Sequence, residues 1–268
     1  MKIHYMAAAQ TDIGLVKQVN QDSLIVKVVD TELGKVTLAV LCDGMGGLTK
    51  GELASAIVVR AFEAWFMEKL PYQLRRITVE MLKAEWERLV TDCNDRIRKQ
   101  GSQNMGTTLT AMLLYEDAYY IIHVGDCRAY ELTSEVFQLT KDQTFVEREV
   151  ASGRMTREQA KTDSRRNVLL QCIGVKEEVE PEFIAGKLVP GACYLLCSDG
   201  FRHEVSRDEI LAVVEEMVWE SIRKQQPESE IKVGMNNALN MLIEKVKERG
   251  ERDNISAILI QTLEEETC

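Results

Sequence analysis

Three short runs of this chain are apolar on both faces: LAVLC at Leu38–Cys42, YYIIHV at Tyr119–Val124 and ISAILI at Ile255–Ile260. A strand with one wet face alternates polar and apolar residues, so runs that do not alternate must be covered on both sides. Strand-like runs recur at Ile3–Ala9, Ser23–Val29, Val36–Cys42, Thr108–Tyr115, Ala118–Val124, Cys127–Leu132, Tyr194–Cys197 and Ile255–Ile260. The pair Glu116–Asp117 between two of them predicts an antiparallel hairpin. Long amphipathic segments fall in pairs. The first is Gly51–Leu70 and Leu74–Lys99, broken at Pro71; the second is Asp208–Lys224 and Ser229–Lys247. Strands in groups and helices in pairs predict an α+β chain with two mainly antiparallel sheets sandwiched between helical layers. Without low-complexity stretches, repeats or a proline-marked linker, residues 1–268 read as one domain. Residues 141–167 differ, being charged and without a clear apolar face, and are expected to form a mobile surface segment.

Composition narrows the function. With 33 basic against 43 acidic residues the formal charge is −10, which argues against nucleic acid and anionic membranes as partners. The acidic surplus serves solubility or a carboxylate cluster, and composition does not choose between them. No apolar run approaches the roughly 20 residues of a membrane span, and Met1–Gln10 does not read as a secretion signal. Seven cysteines, most in or beside apolar runs, fit buried thiols in a reducing cytoplasm. Cys193 and Cys197, if on one strand, stand about 13 Å apart, too far to share an ion.

The strand ends carry the informative pattern. Val36–Cys42 runs into Asp43-Gly44, Tyr119–Val124 into Gly125-Asp126, and Tyr194–Cys197 into Ser198-Asp199-Gly200. Asp22 precedes one strand and Asp253 another. In an antiparallel sheet, strands leaving and strands entering share an edge, so these aspartates can gather on one rim. An Asp-Gly pair after a strand is by itself ordinary turn chemistry; it is the recurrence that points to a site. Clustered carboxylates repel unless a cation intervenes, and an all-oxygen set suits Mg²⁺, Mn²⁺ or Ca²⁺ better than zinc. Two such ions are common machinery for hydrolysing phosphate esters.

These residues resemble the type 2C, or PPM, metal-dependent protein serine/threonine phosphatases of the bacterial type, through nearly the whole chain and in order. The segments are TDIGLVKQVNQDS, LAVLCDGMGGLTKGELAS, NMGTTLTAMLL, IIHVGDCRAYEL, QLTKDQTFVEREVASGRMT, RRNVLLQCIG, YLLCSDGF and ERDNISAILI. The resemblance implies a four-layer α-β-β-α sandwich and hydrolysis of phosphoserine and phosphothreonine by a water bridging two Mg²⁺ or Mn²⁺ ions. It implies that Asp43 bridges the ions, that the Gly44 carbonyl serves one, that Asp199 and Asp253 hold the other, and that Asp22 contributes directly or through water. Asp126 would share a third, weaker ion with Asp199. Phosphoprotein substrates and a cognate serine/threonine kinase follow, and residues 141–167 resemble the family's flap, whose arginines could favour acidic phosphoproteins. The glycines Gly44, Gly46 and Gly47 permit a tight turn that leaves the Gly44 carbonyl facing a cation.

The chain departs from the family twice. Where the first motif usually carries an arginine that grips phosphate, this sequence has Lys17, a point charge rather than a two-pronged fork. Where many members carry a histidine able to protonate the leaving oxygen, it has Met45 and Leu48. General acid catalysis contributes about 10²–10⁴-fold, so a preference for aryl phosphates over phosphoserine is expected. These departures admit a second reading, a weakened or inactive member that binds phosphoproteins; the intact aspartates weigh against it. Of the histidines, His203 follows Ser198-Asp199-Gly200 closely enough to reach the site as a substitute donor but reads first as a surface residue at a helix start. His123 reads as a satisfied core residue, and His4 as structural or exposed.

Overall fold

A computed structural model describes residues 3–46, 50–100 and 105–264. One sheet comprises β1 (Ile3–Asp12), β11 (Ile255–Glu264), β10 (Cys193–Cys197), β7 (Arg128–Leu132) and β8 (Val136–Gln138), in that order. The other comprises β2 (Asp22–Thr31), β3 (Gly34–Gly46), β5 (Leu109–Tyr115), β6 (Ala118–Val124) and β9 (Glu182–Lys187), with β4 (Met105–Thr107) paired to the end of β3. The pairings within both sheets are antiparallel. Helices α1 (Gly51–Ala64), α2 (Leu70–Gln73) and α3 (Val79–Gln100) cover the second sheet. Helices α6 (Asp199–Arg202), α7 (Arg207–Val214), α8 (Glu220–Arg223) and α9 (Glu228–Glu248) lie on the side of the first. The outcome is the four-layer α-β-β-α arrangement expected.

Period-two alternation sorts the strands into three cores. In β3, Leu38, Val40 and Cys42 pack toward the helices while Ala39 and Leu41 face the other sheet. In β11, Ala257 and Leu259 pack toward α9 while Ile258 and Ile260 face inward. On the helical side Trp86 anchors a cluster, with Phe62, Trp65 and Phe183 edge-on at 5.6, 5.4 and 6.2 Å.

The expected break at Pro71 is corrected. The chain stays helical through Leu70–Gln73 with Pro71 in the first turn of α2, and a π-helical turn at Trp65–Lys69 precedes it. Proline has no N–H and its ring crowds the carbonyl four residues back; the wider π turn accommodates both. The break falls later, and α3 opens after Thr78, whose hydroxyl accepts from the Met81 N–H at 3.3 Å. A second π turn, Glu215–Trp219, joins α7 to α8. The hairpin forms at Glu116–Asp117, with Glu116 at φ 54°. The charged segment 141–167 holds two short helices, α4 (Phe145–Ala151) and α5 (Arg157–Thr162), each opened by a threonine cap. Among the described residues, no helix is long and apolar enough to cross a membrane.

Candidate active site

Strand register delivers the aspartates. Asp22 opens β2 directly opposite Asp43 in β3, and directly opposed residues project to the same face of an antiparallel pair. Asp43 shares parity with Ala39 and Leu41, and Asp22 with Leu24 and Val26, all packed between the sheets. Both carboxylates therefore sit at the rim of the inter-sheet space. Asp43 lies inside β3 rather than after it, because the strand continues to Gly46 by pairing with β4. Across the rim, Asp199 begins α6 immediately after β10, and Asp253 lies just before β11. Asp126 follows Gly125 at the end of β6. The five aspartates, drawn from both sheets, share one electrostatic neighbourhood. Burial pushes the Asp43 carboxyl well above the usual carboxylate range, and Asp22, Asp199, Asp126 and Asp253 push it further.

The backbone beneath is tightly tied. The Asp43 N–H donates to Thr108 Oγ1 at 2.8 Å, while its carbonyl accepts from the Thr108 N–H at 2.9 Å and from Thr107 Oγ1 at 3.0 Å. Asn254 links the loop that carries Lys17 to the Asp253 corner. Its Oδ1 accepts from the Gln21 N–H at 2.9 Å, and its Nδ2 donates to the carbonyls of Ile13 and Val19 at 3.0 and 3.2 Å. Gly44 is wedged where a Cβ would stand 2.2 Å from the Gly51 carbonyl oxygen, a close approach no other residue permits. The Gly44 N–H donates to the Gln21 carbonyl at 3.1 Å. Met45 pairs with Gly106 in the β3–β4 ribbon; Gly47 and Leu48 lie outside the described residues.

Both oxygens of the Asp22 carboxylate and Oδ1 of Asp199 are buried with no hydrogen-bond partner among the described residues. Burial raises the Asp22 carboxyl to about 7, with Asp199 and Asp253 adding to the rise. Ser256 and Ser198 temper it; Ser256 Oγ also shares a hydrogen bond with Thr11 Oγ1 at 2.8 Å, and Ser198 Oγ accepts from the Ser256 N–H at 3.0 Å and donates to the Ser256 carbonyl at 3.4 Å. Asp126 is likewise raised to about 7 by burial and by Asp199, against the pull of Arg202. Among the described residues, no three carboxylate, imidazole or thiol side chains close tightly round one point. Two cations lean on the rim instead. Lys17 Nζ lies 2.6 Å from Asp253 Oδ1, and Arg202 Nη2 lies 3.5 Å from Asp126 Oδ2. The donor set nevertheless fits hard divalent ions: it is all oxygen, buried, mutually repelling, and holds carboxylate oxygens with no other partner.

Three residues of the site, Arg202, Asp142 and Glu251, were not legible in the sequence. Arg202 and Asp142 form an ion pair beside Asp126; nothing in a lone Lys-Asp-Gln run announces that role for Asp142. His203 is an exposed residue as expected, but it caps the end of α6 rather than starting a helix. Its ring turns inward, with Nδ1 at 3.2 Å from Glu251 Oε2 and Nε2 at 3.9 Å from Asp199 Oδ2. Glu251 Oε1 accepts from the N–H groups of Arg252 and Asp253, at 2.7 and 2.9 Å, so His203 bridges the two corners that present Asp199 and Asp253. His123 is a satisfied core residue, between Thr110 Oγ1 at 3.0 Å and the Lys141 carbonyl at 3.1 Å. In the segment 141–167 four of the five arginines pair with carboxylates, Arg148 and Arg154 sharing Glu149, Arg157 with Glu147 and Arg165 with Asp163, while Arg166 donates to the Lys161 carbonyl. This reduces the charge they could offer an acidic substrate.

A family model described as protein phosphatase 2C matches residues 15–243. The serine/threonine protein phosphatase PstP of Mycobacterium tuberculosis is 32% identical over 263 residues, which is 96% of this chain and 45% of that protein. This chain thus spans about half the length of that relative. The solved S. agalactiae serine/threonine phosphatase aligns with a TM-score of 0.82 and 26% identity over 97% of this chain and 100% of its own. The catalytic domain of PstP in complex with two manganese ions aligns with a TM-score of 0.74 and 31% identity, over 98% and 100% of the two chains.

Proposed function

We propose that this chain, which belongs to the protein phosphatase 2C family, hydrolyses phosphoserine and phosphothreonine in proteins with Mg²⁺ or Mn²⁺. The observation that carries the reading is the meeting of five buried or half-buried aspartates from both sheets on one rim, three of their oxygens without partners among the described residues. Asp22, Asp43, Asp199 and Asp253, with the Gly44 carbonyl, would hold two ions. When bound, such ions supply an activated water for in-line attack at phosphorus and charge to stabilise the leaving oxygen. A third ion shared by Asp126 and Asp199 fits less well, because Arg202 already rests on Asp126.

Lys17 grips the substrate phosphate, exchanging one anion, Asp253, for another. Its ammonium stays protonated: burial alone would lower it, but the bond to Asp253 and the fields of Asp43 and Asp199 outweigh that. Met45 and Leu48 stand where many family members carry the proton donor, which supports the expected preference for aryl phosphates. His203, with Nε2 3.9 Å from Asp199 Oδ2, is the candidate substitute, and equal rates on aryl phosphate and phosphoserine would assign it that role. The substrates are phosphoproteins made by a serine/threonine kinase, and the compartment is the cytoplasm. The segment 141–167 acts as a flap of a single phosphatase domain.

The test is release of phosphate from a phosphothreonine peptide and from p-nitrophenyl phosphate in Mn²⁺, with EDTA as control. Turnover that EDTA abolishes is expected; none with either substrate would leave only a phosphoprotein-binding module. Lys17→Ala is expected to raise KM for the phosphopeptide about tenfold, as loss of a charge-assisted contact implies. Lys17→Arg should lower it, and an unchanged or higher KM would remove Lys17 from this role.

A further inference from the structure

Arg202 is the last residue of α6, three positions after Asp199, so a single turn brings both to the same end of the site. Its Nη2 donates to the Asp126 carbonyl at 3.2 Å and lies 3.5 Å from both Asp126 Oδ2 and Asp142 Oδ2. Asp142 is gripped from its other side by Arg128 through two parallel bonds, Nε to Oδ1 at 2.8 Å and Nη2 to Oδ2 at 2.7 Å. Gln138 Nε2 adds a third donor at 3.1 Å. The side chains of Arg202, Asp126 and Asp142 are 12%, 9% and 9% exposed. The result is a row in which acids and bases alternate, Asp126, Arg202, Asp142 and Arg128.

We propose that Arg202 is a resident cation at Asp126, standing where a third divalent ion would otherwise be needed, so that the chain completes its site with two ions. The inference rests on the two-ion reading above and sharpens it. A guanidinium cannot lose its proton in a protein, and here one nitrogen, Nη2, stands between the Asp126 and Asp142 carboxylates while Nε is buried without a partner among the described residues. Asp142 holds Arg202 from behind, and swinging Arg202 out to solvent would leave the buried Asp126 carboxylate without its cation. A dication on the Asp126 carboxylate would lie against the guanidinium, and little water is available to screen their repulsion. The positive charge at this end of the site is therefore independent of dissolved metal.

The experiment counts Mn²⁺ bound per chain by equilibrium dialysis at millimolar free Mn²⁺, with electron paramagnetic resonance of the bound ion. The unaltered chain is expected to bind two, and Asp126→Asn also two. Arg202→Ser is expected to admit a third, weaker ion that is lost again when Asp126→Asn is added. Arg202→Lys, which keeps the charge, is expected to stay at two. Three ions on the unaltered chain, falling to two in Asp126→Asn, would overturn the inference and leave the two-ion reading standing. A folded Arg202→Ser that still binds two would also overturn it. Should Arg202→Ser not fold, the unaltered chain and Asp126→Asn decide alone, since two ions on both supports the proposal. No bound ion at all would overturn this inference and the two-ion reading together.

Discussion

Asp199→Asn is expected to lower Mn²⁺-dependent kcat/KM for p-nitrophenyl phosphate by on the order of 10³, the scale of losing one preorganised electrostatic element. It should also make the metal-stripped protein more stable. Asp199 is buried, has one carboxylate oxygen without a partner among the described residues, and pushes on Asp22, Asp43 and Asp126. Asparagine keeps its shape and removes a like charge from a site with little water. A gain of about 1–2 kcal/mol is reasonable for relieving repulsion there, or about 3–6 °C in Tm for a chain of this size. The two readouts move in opposite directions, as expected where a functional site is held at the expense of stability. Thermal melts in EDTA and rates in Mn²⁺ check both. Activity retained in Asp199→Asn would remove the aspartate from the ion site. A lower Tm in EDTA would show that Asp199 holds the fold rather than straining it.

How much of this was legible in the sequence follows from what each residue depends on. Asp22, Asp43, Asp199 and Asp253 could be found because period-two alternation fixes where a strand ends and which face its last residue takes. Their convergence needed only that neighbouring strands run antiparallel, and the Asp22–Asp43 register makes that literal. Asp43 was nonetheless set after its strand, because the extension of β3 depends on pairing with β4, a three-residue strand with no periodicity to read. Strand β9, with polar and small residues in EFIAGK, was unreadable for the same reason: its place is set by pairing with β6. Arg202, His203 and Glu251 act through contacts that span 48 to 76 residues of chain. A pattern read within a local window cannot contain such a pair. Thr78 before α3 was legible as a cap, and reading it would have moved the break from Pro71 to its proper place.

The same carboxylates make ion binding strongly dependent on pH. Asp22 sits near 7 in the metal-free fold against 3.8 ordinarily, and Asp43 is raised as well. A raised carboxyl gives stability that is fully present below about pH 3.8 and is lost as pH rises through 7, because the folded state holds the proton longer. Carrying one carboxyl from 3.8 to 7 corresponds to roughly 4 kcal/mol. His123 opposes this in the metal-free protein: burial lowers it to about 4, so its contribution grows as pH rises from about 4 to 6.5. His123 lies outside the ligand set, however, and titrates alike with and without ions, so it cancels in the difference between Mn²⁺ and EDTA. What remains is proton displacement from the ligands. The apparent affinity for Mn²⁺ is therefore expected to rise about tenfold per pH unit for each proton displaced, at least about 100-fold between pH 5 and 7, and to flatten above 7. Calorimetric titration in two buffers of different ionisation enthalpy reads both the affinity and the protons released. In Asp22→Asn the dependence should weaken, since one of those protons is gone. Affinity that stays flat from pH 5 to 7, with no proton released, would mean that the ions do not bind to these carboxylates.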